Sequence, residues 1–267
     1  MTKTLEVLSC GPAVTVQDMG RSGYLAQGLT RGGAADVRAL FEGAALLGQS
    51  AQLAALEMVG MGGSFRATAD IRIALTGATM AATLDDVPLV WNASHLMPAG
   101  STLKIGGARS GTYGYLHVGG GIDTPQMMGS RSAHLSAGLG EALVAGDALP
   151  IGTDKGSTTG MSLPLDDRFA GGHIRIITSM QTDRFDEETC ARFATTPFRR
   201  DARGNRMGVR LAGPDIAPNV ALTMPSEPIA RGSVQVAGDG VATLLLADHQ
   251  TTGGYPKIAT VVSDDLD

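Results

Sequence analysis

The regular spacing of short apolar runs is what most constrains this chain. Residues 54–59, 63–67 and 71–75 follow one another at intervals of roughly eight to ten residues, the spacing of strands in a β-sandwich or barrel. Residues 5–16, interrupted by Gly11-Pro12, read as a strand before them, and 89–92, 101–105 and 113–118 continue the pattern after them. Glycine agrees: 37 of 267 residues is about twice the usual share of roughly 7%. No short glycine period occurs, so the excess marks tight turns and not a collagen-like repeat.

Two short helices interrupt the β pattern. Asp36 caps the first, where Val37, Leu40, Phe41, Ala44 and Leu47 recur at three- and four-residue steps and Gly48 follows as a stop. Asp186 caps the second, over 186–193, with acids in its first turn and Phe185 and Cys190 placed as a hydrophobic staple. That placement makes Cys190 a packing residue. From 152 to 172 the sequence turns to Gly, Ser, Thr and Asp without a usable period, which reads as a crossing between two halves. The expected architecture is mainly β. Residues 1–151 form a first barrel-like subdomain, 152–172 a crossing segment, and 173–267 a second barrel-like subdomain.

Charge and motifs exclude several classes. A net charge of −5 and a pI near 5.5 argue against a nucleic-acid partner. No apolar run approaches the roughly 18 residues of a membrane span, and the N-terminus lacks a signal peptide's apolar segment, so the expected location is cytoplasmic. No phosphate-binding G-x-x-x-x-G-K-[ST] surrounds any of the four lysines, and no G-x-G-x-x-G opens a helix after a strand. A serine-hydrolase elbow is missing, and scattered histidines with two distant cysteines suggest no metal site. No lysine lies between two methionines, so the chain is not expected to carry biotin covalently.

Chemistry concentrates in loops. Between apolar runs at 241–247 and 257–263 lie Asp248, His249, Gln250, Thr251, Thr252, Gly253, Gly254, Tyr255 and Pro256. An acid, an imidazole, a carboxamide, hydroxyls and a phenol exceed what a plain turn needs, so this reads as a functional loop. At 16–23, Gln17, Asp18 and Arg21 stand among glycines; a hairpin tip with Asp18 paired to Arg21 is the other reading. Three glycines at 119–121 precede Gly129-Ser130-Arg131-Ser132. There the planar fork of Arg131 suits a carboxylate or phosphoryl oxygen, or else anchors loop carbonyls in the interior. His134 is near enough in sequence to share that site, whereas His117 reads as a packed strand residue. Arg206 is a further arginine flanked by glycines, in 204–208.

Five blocks in this order carry a resemblance: Gly11-Pro12 through Gln17-Asp18-x-Gly20-Arg21-x-Gly23, Gly119–Asp123, Gly129–Ser132, Asn205-Arg206-Met207-Gly208, and the 248–256 loop. Together they resemble the carboxyltransferase-like family. It includes the C subunits of bacterial ATP-dependent 5-oxoprolinases, the Kip-inhibitor antagonist of sporulating bacteria, and subunit 2 of the so-called allophanate hydrolases. The resemblance spans nearly the whole chain and implies two tandem cyclophilin-like β-barrel subdomains. It departs at His249, where a basic residue is usual, and at 240–242, where a proline is usual. Relatives also add a strand or two beyond Asp267, which predicts a second barrel short of an edge.

The activity implied is that of the C subunit in a multi-subunit, ATP-dependent conversion of 5-oxo-L-proline to L-glutamate, with a small-molecule substrate. The implied partners are a second cyclophilin-like subunit, of the 5-oxoprolinase B or Kip-inhibitor type, and a 5-oxoprolinase A subunit. Other readings are the carboxyltransferase component of a biotin-dependent urea carboxylase, or a non-catalytic antagonist of a kinase inhibitor. Under the first reading Asp18, Arg21, Arg131, Asp248, Gln250 and Tyr255 are the catalytic candidates. Gln17, Ser130, Ser132, Arg206, Thr251 and Thr252 are the substrate-binding candidates. Cations would face developing phosphoryl charge while the amide, phenol and carboxylate groups orient the substrate.

Overall fold

A computed structural model describes residues 3–164, 168–219 and 224–266. The chain is mainly β and divides into two compact units, Met1–Arg21 with Gly32–Gly172 and Ser22–Arg31 with His173–Asp267. No helix of the described residues is long and apolar enough to cross a membrane.

The first unit contains β1 (Thr4–Cys10), β2 (Thr15–Gln17), α1 (Val37–Leu47), β3 (Ala55–Val59), β4 (Gly63–Ala67), β5 (Ile71–Leu84), β6 (Val87–Pro88), β7 (Ala93–Met97), β8 (Thr102–Val118) and β9 (Ala148–Pro150). Its strands form one nine-stranded antiparallel sheet in the order β2-β3-β8-β4-β1-β9, from which β5 branches to pair with β6, β7 and β8. The hub is β8. Its first half pairs with β4, its second half with β3, and β5 follows both halves. The sequence reads residues 101–105 and 113–118 as two strands, but the structure joins them into one strand of 17 residues. What permits this is bending. The β5–β8 register shifts between Gly77 and Thr79 and twice more before Ala82. Gly77 sits at φ +72°, where a Cβ would stand 2.5 Å from the Tyr113 carbonyl oxygen.

The curled sheet closes on Leu5, Phe65, Ile73, Leu75, Met97, Leu103 and Leu116, all buried. Residues 89–92, expected as a strand, instead connect β6 to β7. Asn92 takes φ +53°, and Trp91 turns inward to donate its indole N–H to the Gly77 carbonyl (3.1 Å). On α1 the buried face is Ala39, Leu40, Gly43, Ala44, Leu46 and Leu47. Phe41, assigned to the stripe from its spacing, is 55% exposed. The stripe centres on Gly43, because this helix must approach the His117 ring so closely that no side chain fits between. Asp36 does cap the helix, accepting from the Ala39 N–H.

Residues 152–164 have lost the strand pattern yet are fastened to the first unit. Arg72 holds Asp154 with two hydrogen bonds (2.8 and 2.6 Å) and also donates to the carbonyls of Leu47 and Thr158. The Ser94 N–H donates to Met161, and the Leu163 N–H to Asn92. Further along, Arg168 pairs with Glu42 and Asp36.

The second unit contains β10 (Ile176–Thr178), α2 (Glu187–Thr195), β11 (Arg199–Arg200), β12 (Gly208–Ala212), β13 (Glu227–Pro228), β14 (Ser233–Val236), β15 (Ala242–Leu245), β16 (Thr252–Gly253) and β17 (Lys257–Val261). Six strands form an antiparallel sheet, β10-β17-β14-β15-β12-β11, and β13 pairs with β16 apart from it. Alternation sorts its faces: Val234, Val236, Ala242 and Ile258 enter the core with Phe185 and Ile216. Gln235, on the other face, is also buried. At the start of α2, Asp186 caps onto the Thr189 N–H, and Phe185 and Cys190 lie together in the core.

Candidate functional site

In the first unit residues 16–21 and the Gly129–Ser132 turn meet, and Asp18 is the knot between them. Its Oδ1 accepts from the Ser130 and Ser132 hydroxyls (both 2.6 Å) and from the Gly20 N–H (2.8 Å). Its Oδ2 accepts from the Arg131 N–H (2.7 Å). Burial pushes the carboxyl's pKa up, but these four donors outweigh it and hold the group below its ordinary range. Beside it Gln17, fully buried, donates to Thr15 and to the Ala133 carbonyl.

Arg21 is 2% exposed and donates to the Ser132 and Met127 carbonyls, tying the same turn from the other side. The role of an interior arginine anchoring loop carbonyls therefore belongs to Arg21. Arg131 is half-buried, with its Nε in the interior, and pairs through Nη2 with Asp123 at the surface. His134 is buried in the same turn region, with its Nδ1 near Ser136 Oγ (3.2 Å). This arrangement fixes a loop rigidly and presents Arg131 from it. The inner hydroxyls and amides are occupied by Asp18.

In the second unit Arg206 and Asp248 form a fork-to-fork pair, Nε to Oδ2 at 2.7 Å and Nη2 to Oδ1 at 2.9 Å, both side chains largely buried. The Asp248 N–H returns to the Arg206 carbonyl, so the 205–208 turn and the 248–256 loop are locked together. Asn205 closes its own turn by accepting from the N–H groups of Met207 and Gly208. Arg206→Lys keeps the charge but loses the second hydrogen bond to a buried carboxylate. It should cost about 1–3 kcal/mol in denaturant unfolding, and an unchanged midpoint would show that the pair does not hold the loop.

A pocket of about 300 Å³ opens beside this lock, lined by Asn205, Met207, Gln235, Thr243, Gln250 and Tyr255 among others. Gln250 donates to Gln235 Oε1 (3.1 Å), and Gln235 donates in turn to the Tyr255 carbonyl (3.2 Å). Two of the residues singled out from sequence, Gln250 and Tyr255, thus share one pocket. Arg206 and Asp248 stand behind it. Thr251 and Thr252 are elsewhere: Thr251 accepts from the Ile229 N–H, and Thr252 pairs with Pro228 in the small β13–β16 ladder. Reading from sequence misses Gln235. A polar residue alternating with Val234 and Val236 looks like a solvated strand position, and only the covering loop makes it a buried wall of the pocket. Another hollow, about 330 Å³, lies in the first unit against residues 9–11, 61–64 and 104–106, but Cys10 is turned to the Leu143 carbonyl and Lys104 to Asp86. Among the described residues no group of three or more His, Cys, Asp or Glu is placed to hold a metal ion.

The chain is similar to the C subunit of 5-oxoprolinase from Escherichia coli (strain K12), 35% identical over 98% of this chain and 86% of that protein. It is also 28% identical, over 78% of its length, to a urea amidolyase of Lachancea kluyveri, of which it spans only 12%. Among solved structures, TTHA0988 superposes with a TM-score of 0.90 over 99% of this chain at 32% identity, and this chain spans about half (53%) of that protein. The model of the carboxyltransferase domain, subdomain A and B, matches residues 27–267. The five loop blocks, the two β units and this match over most of the chain agree, and the chain belongs to the carboxyltransferase domain family, subdomains A and B.

Proposed function

We propose that this chain is the C subunit of a multi-subunit, ATP-dependent 5-oxoprolinase that converts 5-oxo-L-proline to L-glutamate. The observation that carries the reading is the near full-length similarity to a protein named as the C subunit of 5-oxoprolinase. The lactam is unactivated, so coupling to ATP supplies the leaving group. The γ-phosphoryl group moves to the lactam oxygen as ADP departs, and water adds to the activated carbon. The C–N bond then breaks with the nitrogen leaving as the amine, and a second water hydrolyses the acyl phosphate to glutamate and phosphate. In this reading Gln250, Gln235 and Tyr255 contact the substrate, and the Arg206–Asp248 pair positions them. Gln17, Asp18, Arg21, Ser130 and Ser132 hold the loop from which Arg131 faces the anionic reactants or the companion subunits, expected to be of the A and B types. ATP is a substrate of the assembled complex, which works in the cytoplasm.

The test is glutamate release from 5-oxoproline, measured with and without ATP, by the purified chain and by the chain assembled with A- and B-type subunits. The chain alone should be inactive, and the complex active only with ATP. Turnover by the chain alone, or none by the complex, would overturn the reading. The similarity to urea amidolyase supports a second reading, in which the same pocket serves carboxyl transfer from a biotin carrier to urea. Biotin-dependent fixation of bicarbonate by the assembled system, without glutamate release, would establish that one instead.

A further inference from the structure

The second unit holds a charge that the pocket's hydrogen bonding leaves out. Lys257 is 8% exposed, and its Nζ is fully buried with no hydrogen-bond partner among the described residues. The nearest carboxylate, Glu227 Oε2, lies 3.7 Å away, beyond hydrogen-bond distance, and already accepts from Gln181 Nε2. Gln181 is buried too, and its Oε1 takes the Lys257 backbone N–H (2.9 Å). Glu227 therefore balances the charge of the ammonium without filling any of its three donors. Burying an ammonium in this state is costly, and a methionine there would avoid the cost. Such a group is a candidate for a functional role because packing alone does not account for it.

Its position supplies the role. Lys257 on β17 is the cross-strand partner of Gln235 on β14, just past a register shift that leaves Ile258 and Ala259 in the core and the Gln235–Lys257 pair on the opposite face. Gln235 is the most deeply buried polar residue lining the pocket, and its amide is engaged by Gln250 and by the Tyr255 carbonyl. Lys257 does not itself line the pocket; it stands on the strand next to the pocket's polar wall, behind Gln235. A carboxylate placed there would receive the missing hydrogen bonds, while the neutral lactam ring stayed among Gln235, Gln250 and Tyr255.

We infer that Lys257 anchors the carboxylate of the lactam substrate, so that it, and not the amide-lined wall, selects 5-oxoproline over lactams without a carboxylate. This rests on the proposed 5-oxoprolinase reading and assigns the substrate's charged end within it. Ligand binding has to displace the Gln235–Gln250 contact, which makes Lys257 a binding residue and leaves the chemistry to other groups.

The experiment is calorimetric binding of 5-oxoproline and of 2-pyrrolidinone, the same ring without its carboxylate, to the assembled complex without ATP. Lys257→Met should weaken 5-oxoproline binding about tenfold or more and leave 2-pyrrolidinone unchanged. Its unfolding midpoint should be equal to or above the parent's, since an uncompensated donor set is removed. Glu227→Gln, which releases the ammonium from its nearest counter-charge, should preserve or raise 5-oxoproline affinity. Equal weakening of both ligands by Lys257→Met, unchanged 5-oxoproline binding, or weakened 5-oxoproline binding in Glu227→Gln would each overturn the inference. Glutamate release on adding ATP reads the proposed activity separately. Carboxylate selection through Lys257 without glutamate would sink the activity and keep the anchor; glutamate release with full-affinity Lys257→Met would do the reverse.

Discussion

Asp18→Asn is expected to lose about 1–3 kcal/mol of unfolding free energy, although the two side chains are nearly the same size. The carboxylate accepts from two hydroxyls on one oxygen and from the Arg131 N–H on the other, with the Gly20 N–H completing the set. An amide puts an NH2 group in place of one of these oxygens. Turned one way it faces the Arg131 N–H; turned the other it faces Gly20 and both serines. Either way a donor meets a donor inside the protein, and at least one buried N–H or O–H loses its acceptor. Ser130→Ala and Ser132→Ala each remove one donor to the carboxylate and also an acceptor, for the Ser132 N–H and the Asp18 N–H respectively, so each should cost about 1–3 kcal/mol. Urea unfolding followed through Trp91, the chain's single tryptophan and a buried residue of the first unit, makes the measurement. A loss below about 1 kcal/mol for Asp18→Asn would show that the knot does not hold the unit together. Turnover of the assembled complex should fall with it, because Arg131 is presented from the loop that the knot fixes.

What can be read from sequence follows from which features are local. The strand pattern, both helix caps and the polar break after Pro150 are short-range signals in apolar spacing and turn residues, and the mainly β architecture follows from them. The 17-residue β8 reads as two strands because glycines inside a strand look like turns unless the partner strand is known to bulge opposite them. Phe41 is misplaced for a similar reason: the spacing allows two nearby stripes, and the close approach of Gly43 to His117 across the fold chooses between them. At the site, glycine-flanked polar residues correctly mark the loops. They do not show which groups are already engaged. The pairing of Arg206 with Asp248 spans 42 positions and that of Asp18 with Ser130 spans 112, so neither can be inferred from neighbours in sequence. Gln235 is invisible because it sits in an ordinary strand pattern, and only the covering loop turns an outward position into a buried one.

Acid should unfold the first unit early, and His117 is the reason. Thr76 Oγ1 donates to the Ala39 carbonyl, which leaves its lone pair to accept from His117 Nε2 at 2.8 Å. The imidazole is buried against Tyr115 and beneath Gly43, where even a Cβ would overlap the ring, so water has no room to solvate a charge. Burial lowers its pKa from 6.5 to about 3. The sign follows directly: between those values the unfolded chain binds a proton that the native chain refuses, so stability falls as pH falls. The slope approaches about 1.4 kcal/mol per pH unit, and the whole window amounts to about 4–5 kcal/mol. Asp18, whose pKa is held low, contributes stability that is fully present above the ordinary aspartate value of 3.8 and is lost only below it, so its acid loss lies outside most of this window. His117→Gln can still donate to Thr76 but cannot take up the proton in the unfolded chain. Denaturant unfolding from neutral pH to pH 4 should therefore fall steeply for the parent and show a much shallower dependence for His117→Gln. The His117 ring should also show no protonation by NMR above pH 4. Parallel profiles for the two proteins would place the acid sensitivity elsewhere.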